Sequence, residues 1–232
     1  MPTAPEQHPP NFDPLAPLYR WMEIFSFGPL LARCRFQFLA QSLPLKSVLV
    51  LGDGDGRYTQ RLLQSNPQVQ VTAVDGSRAM LAALQQRAAA VGATDRLTVL
   101  QRDLRSFTPD GCYDGVVTHF SLDCLQESEV EQLVARVVRT LAPGALWVVS
   151  EFAIPAGRAK AAAGRAIVGA LYFAFRLMTG LGTRRLPDYA AILARHGFER
   201  LGAVPRLGGL LTAELWWLAT RDDFTASVRD IV

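Results

Sequence analysis

The chain has 232 residues, of which 50% are hydrophobic and 19% are charged, and its formal net charge is +3. This balance predicts one globular domain with a sizeable core and excludes disordered, collagen-like and fibrous classes. The net charge is too small to predict a nucleic-acid partner. Cys34, Cys112 and Cys124 show no paired spacing and no nearby histidine cluster, so we expect reduced thiols in a cytoplasmic protein and no metal site.

The N-terminal region divides into a tail and a helical segment. Residues 1–14 are rich in proline and lack the apolar run of a secretory signal, so we expect a flexible tail before a single domain over 15–232. Residues 15–45 are aromatic and periodic, which predicts one or two helices at the edge of a sheet. Tyr19 and Trp21 in this segment either pack against the sheet or close over a bound ligand as substrate-binding residues.

Between residues 46 and 154, apolar runs of strand length alternate with segments of helical periodicity, which is the pattern of a parallel sheet covered on both faces. Five strands are predicted, at SVLVLG, QVQVTAVD, RLTVLQRD, YDGVVTHF and ALWVVSEF. Ser77 is predicted to cap the helix that ends at Gly92. The helix before the fifth strand is predicted to stop at Pro143 and Gly144.

The C-terminal part differs in kind from the alternating pattern. Residues 155–187 have the composition of a basic, alanine-rich helical insertion. Residues 188–220 predict a closing helix followed by an antiparallel strand pair.

The most informative feature is the glycine-rich turn after the first strand, which consists of Gly52, Asp53, Gly54, Asp55 and Gly56. Glycines at alternate positions let the turn adopt positive φ and let a ligand approach the backbone closely. A dinucleotide fingerprint would have its third glycine where this chain has an arginine. The two aspartates would repel a pyrophosphate but attract a ligand that carries an ammonium and a sulfonium, so the loop favours S-adenosylmethionine over NAD.

Acids at the ends of two further strands extend this predicted cofactor site. Asp75, followed by Gly76, is placed to accept hydrogen bonds from a ribose diol, and its alternative role is that of an acid at a helix N-terminus. Asp103 is placed to accept from an adenine amino group while the Leu104 N–H faces a ring nitrogen. The alternative for Asp103 is a turn or capping aspartate.

At this point the chain resembles the class I S-adenosylmethionine-dependent methyltransferases, and among them the ubiquinone and menaquinone biosynthesis C-methyltransferase type and its small-molecule relatives. The resemblance covers about residues 46–220 and rests on VLVLGDGDG, TAVDGS, LQRDL, YDGVVTHFSLDC and RTLAPGALWVVSEF, while FDPLAPLYRWME is similar to the substrate-side opening helix. It implies an α/β fold with a Rossmann-like, doubly wound, seven-stranded and mostly parallel sheet. The C-terminal strand pair would be antiparallel, with N-terminal helices and a helical insertion before the last strands.

The resemblance also implies roles for individual residues. The three loop glycines would line the methionine half of the cofactor, and Asp75 would hold the ribose. Asp103 and Leu104 would meet the adenine, while Thr118 and His119 would lie under the sulfonium.

One position departs from the family's pattern. The first strand of the family usually carries an acid two positions before the first glycine, and this chain has Val50 there. We hypothesise that Asp53 or Asp55 compensates by facing the ammonium group. The departure also motivates a second function, in which a protein of this fold binds the cofactor but has lost methyl transfer or catalyses another reaction.

Methyl transfer is an in-line displacement that depends mainly on holding the nucleophile and the methyl group at short range. For a phenol or an activated ring carbon, His119 is the best-placed catalytic base, with cofactor or substrate contact and a structural role as alternatives. Phe120 and Asp123 are expected to line the rim of the acceptor pocket with Cys124. Asp123 instead could cap the following helix.

Residues 158–185 combine apolar side chains with positive charge that includes Arg185, a candidate substrate-binding residue. Such a segment lines a pocket for a lipophilic acceptor, makes peripheral contact with an anionic membrane, or covers the sheet. We therefore expect a cytoplasmic methyltransferase that acts on a small, aromatic or lipophilic acceptor and releases S-adenosylhomocysteine. A nucleic-acid substrate is disfavoured because the chain lacks the Asn-Pro-Pro-aromatic motif used on flipped bases.

Overall fold

The computed structural model describes residues 28–155, 157, 161–162, 164–169 and 185–219. The strands are β1 (Ser47–Leu51), β2 (Gln70–Asp75), β3 (Leu97–Gln101), β4 (Tyr113–His119), β5 (Leu141–Phe152), β6 (Phe198–Arg206) and β7 (Leu211–Leu218). The helices with defined bounds are α1 (Gly28–Arg35), α2 (Leu39–Ser42), α3 (Arg57–Ser65), α4 (Arg78–Ala90), α5 (Glu127–Val138) and α6 (Tyr189–Arg195). Residues 161–162 and 164–169 are also helical.

The strands form one seven-stranded sheet in the order β3-β2-β1-β4-β5-β7-β6. The pairs from β3 to β5 are parallel, whereas β7 runs antiparallel to both β5 and β6. The chain reverses its direction of winding between β1 and β4, which creates a crevice at the carboxyl ends of these strands. The predicted seven-stranded, mostly parallel α/β fold is confirmed.

Two hydrophobic cores cover the two faces of the sheet. The first contains Val48 and Val50 of β1 together with buried side chains of α1, α3 and α4. The second contains Leu49 and Leu51 with buried side chains of α5 and α6. Because successive side chains of a strand point to opposite faces, the near-continuous apolar sequence of β1 supplies both cores.

Local hydrogen bonds explain where the helices begin and end. The Ser77 hydroxyl accepts from the Met80 N–H at 3.2 Å, which confirms the predicted cap of α4. At the start of α5, the Glu129 carboxylate accepts from the Gln126 N–H at 2.7 Å, and the N-cap residue is Gln126 rather than Asp123.

The predicted helix end at Pro143 and Gly144 is wrong by several residues. Helix α5 ends at Val138. The carbonyl of Val137 accepts a hydrogen bond from the Thr140 hydroxyl at 2.8 Å. Strand β5 already begins at Leu141, which pairs with Tyr113 before an irregular register. Gly144 lies inside this irregular strand start with φ of 74°, so the Pro-Gly pair bends a strand and does not end a helix.

Several predicted segments lie outside the described residues. These are the tail over 1–14, Tyr19 and Trp21, and most of the segment 158–185. Among the helices that are described, none is long and apolar enough to cross a membrane.

We predict that replacing Gly56 by alanine destabilises the protein far more than replacing Gly92. Both glycines have positive φ. A Cβ added at Gly56 would lie 2.7 Å from the Cα of Leu84, whereas a Cβ added at Gly92 would have no atom within 4 Å. Gly92→Ala should lower the free energy of unfolding by about 1 kcal/mol from backbone strain alone. Gly56→Ala should cost roughly 2 kcal/mol more from overpacking. Urea denaturation measures both, and equal losses would contradict the close approach of α4 to the loop.

Candidate cofactor and acceptor site

The strand register brings the predicted site residues to one edge of the sheet. Leu51 of β1 is level with Val74 of β2 and with Thr118 of β4, and His119 is level with Ser150 of β5. The residues that follow these strands therefore lie side by side at the carboxyl ends of β1, β2, β4 and β5. This edge includes the point where the strand order reverses, the usual ligand site of such sheets.

The glycine-rich turn has the backbone conformation that its sequence predicts. Gly52, Gly54 and Gly56 have φ values of 75°, 59° and 81°. The Gly52 N–H donates to the Val74 carbonyl at 2.9 Å. A Cβ at Gly52 would lie only 2.6 Å from the Cβ of Ser121, so the turn after β1 packs closely against the turn after β4.

Asp53 is buried beside the first core. Its Oδ2 accepts from the Thr59 N–H at 2.8 Å, and its Oδ1 lies 4.0 Å from Nε of the buried Arg35. Burial raises the pKa of the Asp53 carboxyl, while the Arg35 charge and the hydrogen bond from Thr59 oppose this rise.

Asp55 has two arginine partners within the protein. Its Oδ2 lies 2.9 Å from Nε of Arg57 and 2.8 Å from Nη2 of Arg87. The structure thus gives both loop aspartates internal partners. It does not support the hypothesis that Asp53 or Asp55 compensates for Val50 by facing an ammonium group.

The acids predicted for the ribose and the adenine lie at neighbouring strand ends. Asp75 is partly exposed beside the exposed Gly76, and its Oδ1 accepts from the Ser77 N–H at 2.8 Å. Asp103 accepts from Nη2 of Arg105 at 2.7 Å. Burial alone would raise the pKa of Asp103, but the hydrogen bonds and charge of Arg105 lower it below its usual value. These contacts agree with the alternative roles, in which Asp75 is an acid at a helix N-terminus and Asp103 is a turn aspartate. The cofactor roles of Asp75, Asp103 and the partly buried Leu104 stay predictions.

Thr118 and His119 point to opposite faces of the sheet. The Thr118 hydroxyl accepts from Nε1 of Trp147 at 3.1 Å on the side of the second core, and its contact with the sulfonium stays a prediction. The His119 ring lies on the other face, edge-on to the Tyr58 ring with centroids 4.6 Å apart. His119 is 3% exposed.

The environment of His119 keeps its imidazole neutral. Burial, and secondly the Arg35 charge, lower the pKa of His119 well below 6.5. In the part of the chain that the structure describes, neither ring nitrogen has a hydrogen-bond partner. A neutral ring can accept a proton and does not repel a cationic ligand, which agrees with a base or a cofactor contact.

The turn after β4 is held in a strained conformation by β5. Phe120 has φ of 55°, which a side chain other than glycine adopts at a cost of about 1 kcal/mol. Its N–H donates to the Ser150 carbonyl at 2.8 Å. Oε1 of Glu151 accepts from the Ser121 and Leu122 N–H groups at 3.0 and 2.9 Å. The Phe120 ring lies 5.6 Å from that of Phe152 and so contributes apolar surface at this edge.

Asp123 and Cys124 continue this turn. Asp123 is 6% exposed, and its Oδ1 lies 3.4 Å from Sγ of Cys124. Burial raises the pKa of Asp123 to about 6. Burial and the neighbouring Asp123 charge raise the pKa of Glu151 well above 4.5.

Two buried charged residues at this edge had no predicted role, namely Arg35 and Glu151, both 1% exposed. Arg35 lies in the segment ARCRFQF and Glu151 in the predicted strand ALWVVSEF. A charged residue within a largely apolar segment could have indicated a buried charge with a specific partner. Arg185 is exposed at the start of the segment that leads into α6. Within the described ranges, no grouping of His, Cys, Asp and Glu could hold a metal ion.

We predict that Asp53→Asn destabilises the protein by about 3 kcal/mol because it removes the carboxylate of a buried ion pair with Arg35. Asp55→Asn is the matched control, since its ion pairs are more exposed and should contribute at most about 1 kcal/mol. Urea denaturation of both variants tests the difference, and a loss as large for Asp55→Asn would argue against a special role of the buried pair.

Comparison with known proteins relates part of the chain to methyltransferases. A methyltransferase domain model matches residues 48–144. Trans-aconitate 2-methyltransferase from Acidovorax sp. (strain JS42) is 33% identical over 104 residues, which are 45% of this chain and 37% of that enzyme. The chain therefore aligns with little more than a third of this relative's length.

Solved structures share the fold. The mitomycin 7-O-methyltransferase MmcR superposes with a TM-score of 0.64 and 18% identity over 90% of this chain and 61% of MmcR. The N-methyltransferase NodS from Bradyrhizobium japonicum WM9, solved with S-adenosylhomocysteine, gives a TM-score of 0.56 and 15% identity over 83% of this chain and 85% of NodS. None of these matches specifically supports the ubiquinone and menaquinone C-methyltransferase type. The domain match and the shared fold make the chain similar to the class I S-adenosylmethionine-dependent methyltransferases.

Proposed function

We propose that this protein transfers the methyl group of S-adenosylmethionine to a small acceptor. The observation that carries the proposal is the positive-φ glycine turn at the strand switch point, next to Asp75 and Asp103 at the following strand ends. This arrangement suits an adenosine group extended along the sheet edge and a methionine group over the turn. The structure of NodS with S-adenosylhomocysteine supports the same cofactor class.

Different residues of this chain are proposed to bind different parts of the cofactor. The turn at Gly52, Gly54 and Gly56 would hold the methionine half, with its backbone open to close approach. Asp75 would accept from the ribose hydroxyls, and Asp103 from the adenine amino group. Because Asp53 and Asp55 already have partners, the ammonium group is expected to bind backbone carbonyls of the turns after β1 and β4.

Methyl transfer requires positioning more than covalent catalysis. The acceptor nucleophile forms a bond to the methyl carbon as the bond to sulfur breaks, and the bonding electrons remain on sulfur. A protonated acceptor loses its proton in this step. Neutral His119 is the proposed base, because its ring nitrogens have no partner among the described residues.

We further propose an aromatic or lipophilic acceptor. The rings of Phe120 and Phe152 meet at the carboxyl ends of β4 and β5, where an acceptor would face the methyl group. Asp123 would lie at the rim of the same pocket, and Tyr19, Trp21 and Arg185 are proposed to complete it. The named relatives include an O-methyltransferase and an N-methyltransferase, which agrees with a small-molecule acceptor.

Peripheral contact of residues 158–185 with an anionic membrane is a separate proposal. It is supported by the apolar and basic composition of that segment. Flotation with neutral and with anionic liposomes tests it, and a lack of binding to both would end it.

We expect micromolar binding of both S-adenosylmethionine and S-adenosylhomocysteine, and no binding of NAD, by isothermal titration. Asp75→Ala should weaken both affinities at least about tenfold through the loss of two charge-assisted hydrogen bonds. Asp110→Ala, at an exposed loop position, is the control and should bind like the native protein. Binding of neither compound would leave only the methyltransferase fold.

We expect His119→Ala to lower the turnover of a phenol or quinol acceptor about a hundredfold while S-adenosylhomocysteine affinity changes less than threefold. Turnover and binding are measured on the same preparation, with acceptors screened first on the native enzyme. A loss of cofactor affinity with unchanged turnover would instead make His119 a cofactor contact.

A further inference from the structure

An exposed apolar patch lies at the carboxyl edge of the sheet, next to the proposed acceptor pocket. Its members are Ile154, Ile167 and Leu207, which are 38%, 44% and 44% exposed. In the part of the chain that the structure describes, five large apolar side chains are exposed, and these are three of them. Single exposed apolar residues are common on proteins, whereas a group of them at one place marks a surface that binds a partner or a membrane.

Three parts of the chain meet at this apolar patch. Pro155 follows β5, Gly164 lies in the helical residues 164–169, and Gly209 ends the turn between β6 and β7. A Cβ added at Gly164 would lie 2.5 Å from Cδ of Pro155, and a Cβ added at Gly209 would lie 3.4 Å from the Cα of Pro155. The three members of the apolar patch lie within three residues of these contacts along the chain, so they surround one packed junction.

Hydrogen bonds of the sheet place this junction beside the proposed acceptor pocket. Phe152, the last residue of β5, is level with Leu211 at the start of β7. The next residue, Ala153, donates its N–H to the Leu210 carbonyl at 2.9 Å. The apolar patch therefore begins two residues beyond Phe152, whose ring lies near that of Phe120 at the edge where the methyl group would be transferred.

The turn between β6 and β7 holds a leucine in a backbone conformation that disfavours it. Leu207 has φ of 49°, and Gly208 and Gly209, which follow it, have φ of 65° and 97°. Glycine adopts such angles freely, whereas a leucine there is strained. Burial of the Leu207 side chain does not compensate for this strain, because almost half of its surface is exposed. Backbone strain of this kind is concentrated at functional positions, which agrees with an external partner for Leu207.

The chain around the apolar patch is basic. From residue 152 to residue 187 the sequence contains five arginines, one lysine and no aspartate or glutamate. Residues 201–213 contain Arg206 and likewise no acid. Arg165, two positions before Ile167, is exposed. Apolar side chains surrounded by positive charge suit an anionic lipid surface, where the side chains enter the headgroup region while the charges attract the lipid phosphates.

We propose that the apolar patch docks the protein on an anionic bilayer, with the methyl-transfer edge of the sheet facing the lipid. In this orientation a lipophilic acceptor passes from the bilayer to the pocket without crossing bulk water. The proposal extends the contact of residues 158–185 to the residue after β5 and to the turn between β6 and β7. The purpose of this orientation rests on the proposed function, whereas vesicle binding itself does not.

Flotation of the full chain with lipid vesicles tests this inference. One set of vesicles contains phosphatidylcholine alone, and the other contains about one third phosphatidylglycerol. We expect binding to the anionic vesicles that weakens as the salt concentration is raised. Binding to the neutral vesicles should be at least about tenfold weaker.

Four variants map the surface that contacts the vesicles. Leu207→Asn introduces a residue that tolerates the left-handed region, so it should fold and should weaken vesicle binding about fivefold through the lost apolar contact. Ile167→Gln should have a similar effect of about fivefold, and it keeps the test decisive if Leu207→Asn does not fold. Arg165→Gln should weaken binding to the anionic vesicles about fivefold. Leu43→Asn is the matched control, because Leu43 is 37% exposed but precedes β1 at the opposite edge of the sheet.

The outcomes that contradict the proposed surface are distinct. Vesicle binding that Leu207→Asn and Ile167→Gln leave unchanged, or that Leu43→Asn weakens equally, overturns this inference. Equal binding to the neutral and the anionic vesicles overturns it as well. Analytical ultracentrifugation without lipid tests a different occupant of the apolar patch. A dimer that dissociates in Leu207→Asn, in a protein that does not bind vesicles, would assign the apolar patch to a second copy of the chain and overturn the inference.

Titration of the same variants with S-adenosylhomocysteine separates this inference from the proposed function. All four variants should bind this ligand like the native protein, because none of the substituted residues belongs to the proposed cofactor site. A native protein that binds the ligand but no vesicles overturns this inference alone. A native protein that binds vesicles but not the ligand overturns the proposed function, and the orientation towards a methyl-transfer site with it.

Discussion

The pairing of β1 with both β2 and β4 is the constraint on which the site depends. Parallel ladders fix which residues are level, and here they align the last residues of the central strands at one edge. The glycine turn, Asp75 and the residues from His119 to Asp123 follow these ends. The left-handed glycines of the first turn complete the arrangement, because they let the turn after β1 pack on the turn after β4 at a distance that a Cβ would prevent.

The two faces of this edge differ in their buried charges. On the face of α1 and α3, the Arg35–Asp53 pair lies near the neutral ring of His119. On the face of α5 and α6 lie two carboxyl groups, those of Asp123 in the turn after β4 and of Glu151 on β5. A ligand held across the edge would therefore face an ion pair and a neutral imidazole on one side and two buried carboxyl groups on the other.

Sequence patterns predicted the fold and the glycine turn well because both depend on local signals. Alternation of apolar runs identified the strands, and glycine spacing identified the positive φ of the turn. Side-chain partners were harder to predict because they depend on tertiary contacts. The Asp55 pair with Arg87 joins α4 to the loop, and the Thr118 bond to Trp147 joins β4 to β5. Cofactor roles of these strand-end residues rest on ligand contacts that sequence pattern alone does not give.

The Arg35–Asp53 pair connects helix α1 to the glycine turn after β1. Removing one member of a buried ion pair is strongly destabilising. Among natural homologues, positions 35 and 53 should therefore vary as a couple, so that a neutral residue at one is matched by a neutral residue at the other. The same coupling predicts that chimaeras of distant relatives fold only when α1 and the glycine turn come from the same parent protein.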